Sequence, residues 1–158
     1  MKLYLILFIL LFFNIEQKNI EGEYYNHFGS NLKINSDKTF IYTWSFDLAS
    51  SWSKGKWEIK NDTVYFQTIP IYDTLRRPNF KDSLVLSVNQ KPELITDNSI
   101  IYIETLSSGG QNRQLMNSKL YFGGEKLIEI KENGKLNTKK VKDFWQNKEH
   151  PTWFIKVK

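Results

Sequence analysis

Histidine is the side chain whose ordinary pKa lies closest to neutrality, and this chain of 158 residues has two, His27 and His150, in its first and last quarters. Cysteine is absent, so thiolate metal sites and cysteine nucleophiles are excluded. His27 lies near Glu21 and Glu23, a local grouping of acid with histidine. A metal centre needs three or four ligands in one place, and neither histidine has them nearby in sequence, so no metal and no cofactor are expected. The carboxylates available for paired acid–base work, Asp47, Asp62, Asp73, Asp82, Glu93 and Asp97, fall mostly where turns are predicted. There Asp bonds its own backbone. Gly-x-Ser-x-Gly is missing, and neither Gly109-Gly110 nor Gly123-Gly124 is followed by the Lys-Ser/Thr of a phosphate loop. No catalytic residue is assigned, and the chain is expected not to be an enzyme.

Rings are the more prominent chemistry, since aromatic residues make up 15% of the chain. Phe40, Tyr42, Trp44 and Phe46 recur at period two, the repeat of one face of a strand, and Leu48 continues the series. Trp57 and Phe66 belong to the next two predicted strands, and Trp52 falls in the Ser-rich connection that precedes the first of them. Tyr42, Trp44, Phe46, Trp52, Trp57 and Phe66 are therefore the candidate ligand-binding residues. They line an apolar cavity if the interior is roomy, with the Tyr42 hydroxyl and the Trp44 N–H as polar handles. They fill a core if the interior is packed, as in most small barrels. Sequence alone leaves both open. A second cluster is basic: Lys131, Lys135, Lys139, Lys140, Lys142 and Lys148. It reads as a solvated face or as a contact for an anionic partner such as an acidic glycan or lipid head group.

The elements that must position these residues are short strands. Predicted strands span 20–28, 31–35, 39–48, 55–60, 63–69, 83–88, 99–106, 119–122, 127–131 and 135–138, with a final strand after Pro151. Ser36-Asp37-Lys38, Asn61-Asp62, Gly123-Gly124 and Asn133-Gly134 are the turns between them. Residues 49–54 are expected as a polar connection, 70–82 as an irregular stretch between Pro70 and Pro78, and 107–118 as a long loop. Val141, Phe144 and Trp145 share one side at helical spacing, which predicts a helix over 139–150. So many strands joined by hairpins must close or fold into two layers to hide their edges. The expected fold class is all-β, a single antiparallel barrel of roughly eight to ten strands with at most one short C-terminal helix.

Gly22-x-Tyr24, Leu32-x-Ile34-x-x-Asp37-x-x-Phe40 and Gly55-Lys56-Trp57-x-Ile59 with Asn61-Asp62-Thr63-Val64 resemble the opening strands of lipocalin-like secreted barrels of Bacteroidota-type bacteria. The pattern covers residues 20–68, and Tyr24 stands where lipocalins usually carry Trp. The resemblance implies a lipocalin-like barrel and an exported protein; it implies no activity.

Export is also expected from the N-terminus. Met1-Lys2, an apolar run from Leu3 to Phe13 and a polar exit have the three parts of a secretory signal. The expected division is a signal peptide over 1–17 and one domain over 18–158. Removing 1–17 takes away Lys2 and Glu16 and leaves the net charge at +5. With no cysteine there is no lipidation after the signal, and no transmembrane anchor is expected in the mature chain. The expected function is that of an exported, non-catalytic binding module, secreted or periplasmic. Its partner is a small apolar ligand or an anionic envelope component held in the barrel; the alternative is an envelope structural or interaction protein with a filled core. The mild basicity does not point to nucleic acid, and a monomer is expected.

Overall fold

The computed structural model describes residues 19–96, 109–111 and 116–158. The expected signal segment 1–17 and the expected strand at 99–106 lie outside them. Eight strands close into an antiparallel barrel: β1 (Gly22–Asn26), β2 (Ser30–Ile34), β3 (Thr39–Phe46), β4 (Ala49–Lys60), β5 (Thr63–Thr68), β9 (Lys119–Phe122), β10 (Lys126–Glu129) and β13 (Phe154–Lys156). Each pairs with the next barrel strand along the chain, and β13 returns to β1. This is an up-and-down meander without a free edge. The long connection from β5 to β9 forms a small sheet of β6 (Tyr72–Leu75), β7 (Ser83–Leu86) and β8 (Leu94–Ile95), ordered β7-β6-β8. The connection from β10 to β13 forms a hairpin of β11 (Lys140–Lys142) and β12 (Glu149–Pro151). The described residues contain no helix.

The alternation of β3 decides the interior. Phe40, Tyr42 and Trp44 point inward, and their partners across β4 are Gly55, Ser53 and Ser51. Large faces small at every pair, so the rings lie across β4 without collision. A Cβ on Gly55 would come within 1.9 Å of the Gln67 carbonyl oxygen, so only glycine lets β5 approach β4 there. The residues read as a polar connection are thus the first half of β4. Their serines hide the alternation because small hydroxyl side chains carry little hydrophobic signal, yet Ser51 and Ser53 are buried. Around these rings pack Ile20, Tyr24, Leu32, Ile34, Trp57, Val64, Phe66, Leu120, Phe122 and Leu127. Phe40 meets Phe66 edge to face at 5.0 Å, a favoured geometry for two aromatic quadrupoles. The outward positions Glu23, Lys33, Lys56, Glu58 and Lys119 are exposed. Apolar inside and charged outside is the reverse of a bilayer-spanning barrel.

Turn chemistry matches the expected hairpins. Asn61 and Asp62 both have positive φ, 47° and 63°, as a two-residue turn between right-twisted strands requires. Asp37 accepts the Thr39 backbone N–H and hydroxyl, and these bonds hold its carboxyl below the usual range. The stretch between Pro70 and Pro78 is not wholly irregular, since it contains β6.

The expected helix over 139–150 is instead the β11–β12 hairpin. Asp143 N–H donates to the Lys148 carbonyl at 2.9 Å and Asn147 adopts a φ of 54°, closing the turn. Helices draw most of their stability from packing an apolar face. Phe144 and Trp145, which would have supplied that face, are 81% and 82% exposed.

Candidate functional site

The six ring-bearing candidates do not form one site. Tyr42, Trp57 and Phe66 are in the core, and Trp44 packs against it half-buried. Burial raises the Tyr42 pKa, partly offset by its hydrogen bond with the Ser30 hydroxyl at 3.1 Å. The Trp57 indole N–H donates to the Asn35 carbonyl at 3.0 Å, and the Lys38 ammonium sits 3.9 Å from its ring centroid. Phe46 is at the rim and 53% exposed. Trp52 lies on the outer face of β4, where it is neither in a loop nor exposed. The connection that carries the small sheet covers it: the Trp52 indole N–H donates to the Val88 carbonyl at 2.9 Å, and its backbone pairs with Gln111.

That sheet is pinned to the barrel by polar contacts. The Gln111 side-chain amide donates to the Ile71 and Ser87 carbonyls, at 2.6 and 2.7 Å, and its oxygen accepts the Ile71 N–H. The Lys54 ammonium reaches the Gln90 carbonyl. Asp73 is fully buried in β6; one oxygen accepts the Glu93 N–H at 2.8 Å and the other has no hydrogen-bond partner among the described residues.

A grouping that sequence spacing did not reveal stands at the end of the barrel bearing the long connections. Closure of β13 on β1 brings the turn after β1 against the β11–β12 hairpin. Asn26 fastens the two: its amide donates to the Thr152 carbonyl, and its oxygen accepts the Phe28 N–H at 2.8 Å. Gly29, at φ 85°, lets that turn touch β3; a Cβ there would lie 1.9 Å from the Ser45 carbonyl oxygen. His27 and His150 consequently stack, with ring centroids 3.2 Å apart and planes 7° apart. Both Nε2 atoms face one oxygen of Asp143, Oδ2, at 3.6 and 3.0 Å. The other oxygen, Oδ1, accepts the Gln146 N–H at 2.6 Å. Desolvation raises the Asp143 pKa, but the Gln146 N–H, His150 and the backbone near Lys148 outweigh it and hold the carboxyl below its ordinary range. The sequence reading put His27 in a predicted strand and His150 at the end of a predicted helix, and nothing local to either brings them together.

On the far side of the same hairpin the chemistry changes. Phe144 and Trp145 stand edge to face at 5.1 Å on its tip. Lys139, Lys140, Lys142 and Lys148 around them are exposed. Lys33–Glu23 and Lys60–Glu58 form ion pairs elsewhere on the barrel. Glu149 is the one exposed acid of the hairpin, opposite Lys142. Compared with protein-family models, curated proteins and solved structures, the chain matches none of them.

Proposed function

We propose that this chain is an exported, non-catalytic barrel that docks on an anionic lipid surface of the cell envelope through the tip of its β11–β12 hairpin. The observation that carries the proposal is the exposed Phe144–Trp145 pair at the tip of a hairpin region that also bears four exposed lysines. Aromatic rings with polar rims partition to the headgroup boundary. Each lysine near an anionic leaflet contributes about 1 kcal/mol. Two weak signals of this kind together hold a protein on a membrane where either alone gives marginal binding. The packed interior favours this surface function over a small apolar ligand: Phe40, Tyr24, Leu32, Val64 and Leu127, all at most 1% exposed, occupy the space a ligand would take. The lipocalin-like reading of the barrel rests on its eight-stranded meander, and export on the apolar N-terminal run.

Vesicle co-sedimentation tests the proposal. The protein should pellet with phosphatidylglycerol vesicles and stay in the supernatant with phosphatidylcholine, and added salt should release it. Changing Lys140 and Lys142 to Glu should weaken binding at least thirtyfold, from the roughly 2 kcal/mol those two lysines contribute. Equal partitioning of wild type and a Phe144→Ser/Trp145→Ser variant would sink it.

A further inference from the structure

We propose that His27, Asp143 and His150 form a binding site for one divalent transition ion, zinc above all, which clamps the β11–β12 hairpin to the turn after β1. The three side chains offer ligand atoms that all lie within 4.8 Å of one another. Bonds of about 2.0–2.1 Å in a tetrahedron put neighbouring ligand atoms about 3.3 Å apart. The separations from Asp143 Oδ2 to the two Nε2 atoms, 3.0 and 3.6 Å, bracket that edge. Two imidazoles and one carboxylate suit zinc and its first-row neighbours, and such a set leaves a fourth position for water.

Without an ion the cluster is poorly satisfied. His150 is within hydrogen-bond reach of Asp143, but His27 Nε2 at 3.6 Å is not, and among the described residues the His27 ring otherwise makes ring contacts with Phe28 and His150. An ion between the three would use both lone pairs. Parallel rings 3.2 Å apart cannot both aim an in-plane lone pair at one point, so one must turn on binding. His27 is the ring able to do so: its side chain is 40% exposed and it sits in a turn, whereas those of His150 and Asp143 are 18% and 10% exposed. The supporting bonds are already in place. Gln146 N–H holds one Asp143 oxygen and leaves the other for the ion, and Asn26 ties the turn of His27 to Thr152, two residues after His150. Outer contacts of this kind orient ligands and raise affinity.

The test is isothermal titration of Zn2+ into the untagged chain after stripping with a chelator, with thermal unfolding in parallel. One equivalent should bind, Tm should rise to a plateau at that ratio, and Co2+ should give the absorption spectrum of a four-coordinate site. His27→Ala, a change in an exposed turn, should weaken Zn2+ binding at least tenfold while leaving the far-UV circular dichroism unchanged. His150→Ala should do the same, but His27→Ala decides the matter if the His150 variant does not fold. Absence of saturable Zn2+ and Co2+ binding, or unchanged affinity in the folded His27→Ala protein, overturns the site. The inference is independent of lipid docking, since Phe144→Ser/Trp145→Ser should abolish vesicle binding and leave the zinc isotherm as it is.

Discussion

The two ends of the barrel are built differently. At one end the chain reverses in the short turns 35–38, 61–62 and 123–125. Backbone bonds close 35–38 and 123–125, the Asp37 side chain adds a further acceptor in the first, and Trp57 closes the floor with its N–H on Asn35. At the other end two tight turns share the rim with the connections 69–118 and 130–153. There the inward residues turn polar or half-buried, Ser30, Trp44 and Asn26, and the His27–Asp143–His150 cluster gathers. The stripe on β3 crosses from one regime to the other: Phe40 is fully buried, Tyr42 4% exposed and Phe46 53% exposed. Burial, and with it stability, belongs to the short-turn end. The unspent polar and cationic chemistry belongs to the end where long connections fold over the barrel, as is usual for loops carried on a rigid scaffold.

That contrast is open to direct attack. The largest effect should come from Phe40→Ala, which leaves a cavity against Phe66 and should lower unfolding free energy by about 3–5 kcal/mol in urea titrations. Phe46→Ala, on the same face of the same strand, should change it by no more than about 0.5 kcal/mol. Similar losses at both positions would erase the distinction between the ends. Trp52→Phe tests the seam between barrel and small sheet. It leaves the Val88 carbonyl without its donor and should cost about 1–3 kcal/mol, with faster hydrogen exchange in 83–95 than in β1 and β2.

The smallest effect is at the cluster, and it depends on pH. The Asp143 carboxyl titrates lower in the folded state than in the unfolded chain. The unfolded state therefore binds more protons through the carboxylate range, and stability rises with pH there. The contribution is present above about pH 4 and is lost as pH falls through the folded value. Comparing wild type with Asp143→Asn over pH 2–7, a Tm difference that shrinks toward the acid end is expected; a constant difference removes the charge from the account.

Much of the short-turn end was legible in the sequence. Asp37 before Thr39, and Asn61-Asp62 between alternating segments, are turn signals acting over a few residues, and both turns formed there. The long-connection end was not. Ser51 and Ser53 gave no alternation to read, although they face Trp44 and Tyr42 across β4. Val141, Phe144 and Trp145 have helical spacing, but spacing makes a helix only where the shared face finds something to pack on, and here two of the three face water. Trp52 looked like a loop aromatic because the residues that cover it, Val88 and Gln111, lie far along the chain.

What the sequence determined alone was an all-β chain with its rings on one side of β3 and its reversals at named turns. Those features follow from pleat alternation and turn-residue backbone preferences, forces confined to near neighbours in the chain. Only the tertiary structure decided that the stripe fills the barrel as far as Trp44, that Trp52 faces outward under the long connection, and that His27 meets Asp143 and His150. The barrel core and the histidine cluster depend on which strands become neighbours when β13 closes on β1, and the cover over Trp52 on the long connection folding back across β4. No local preference carries that information, because a contact between distant residues exists only once the sheet between them has closed.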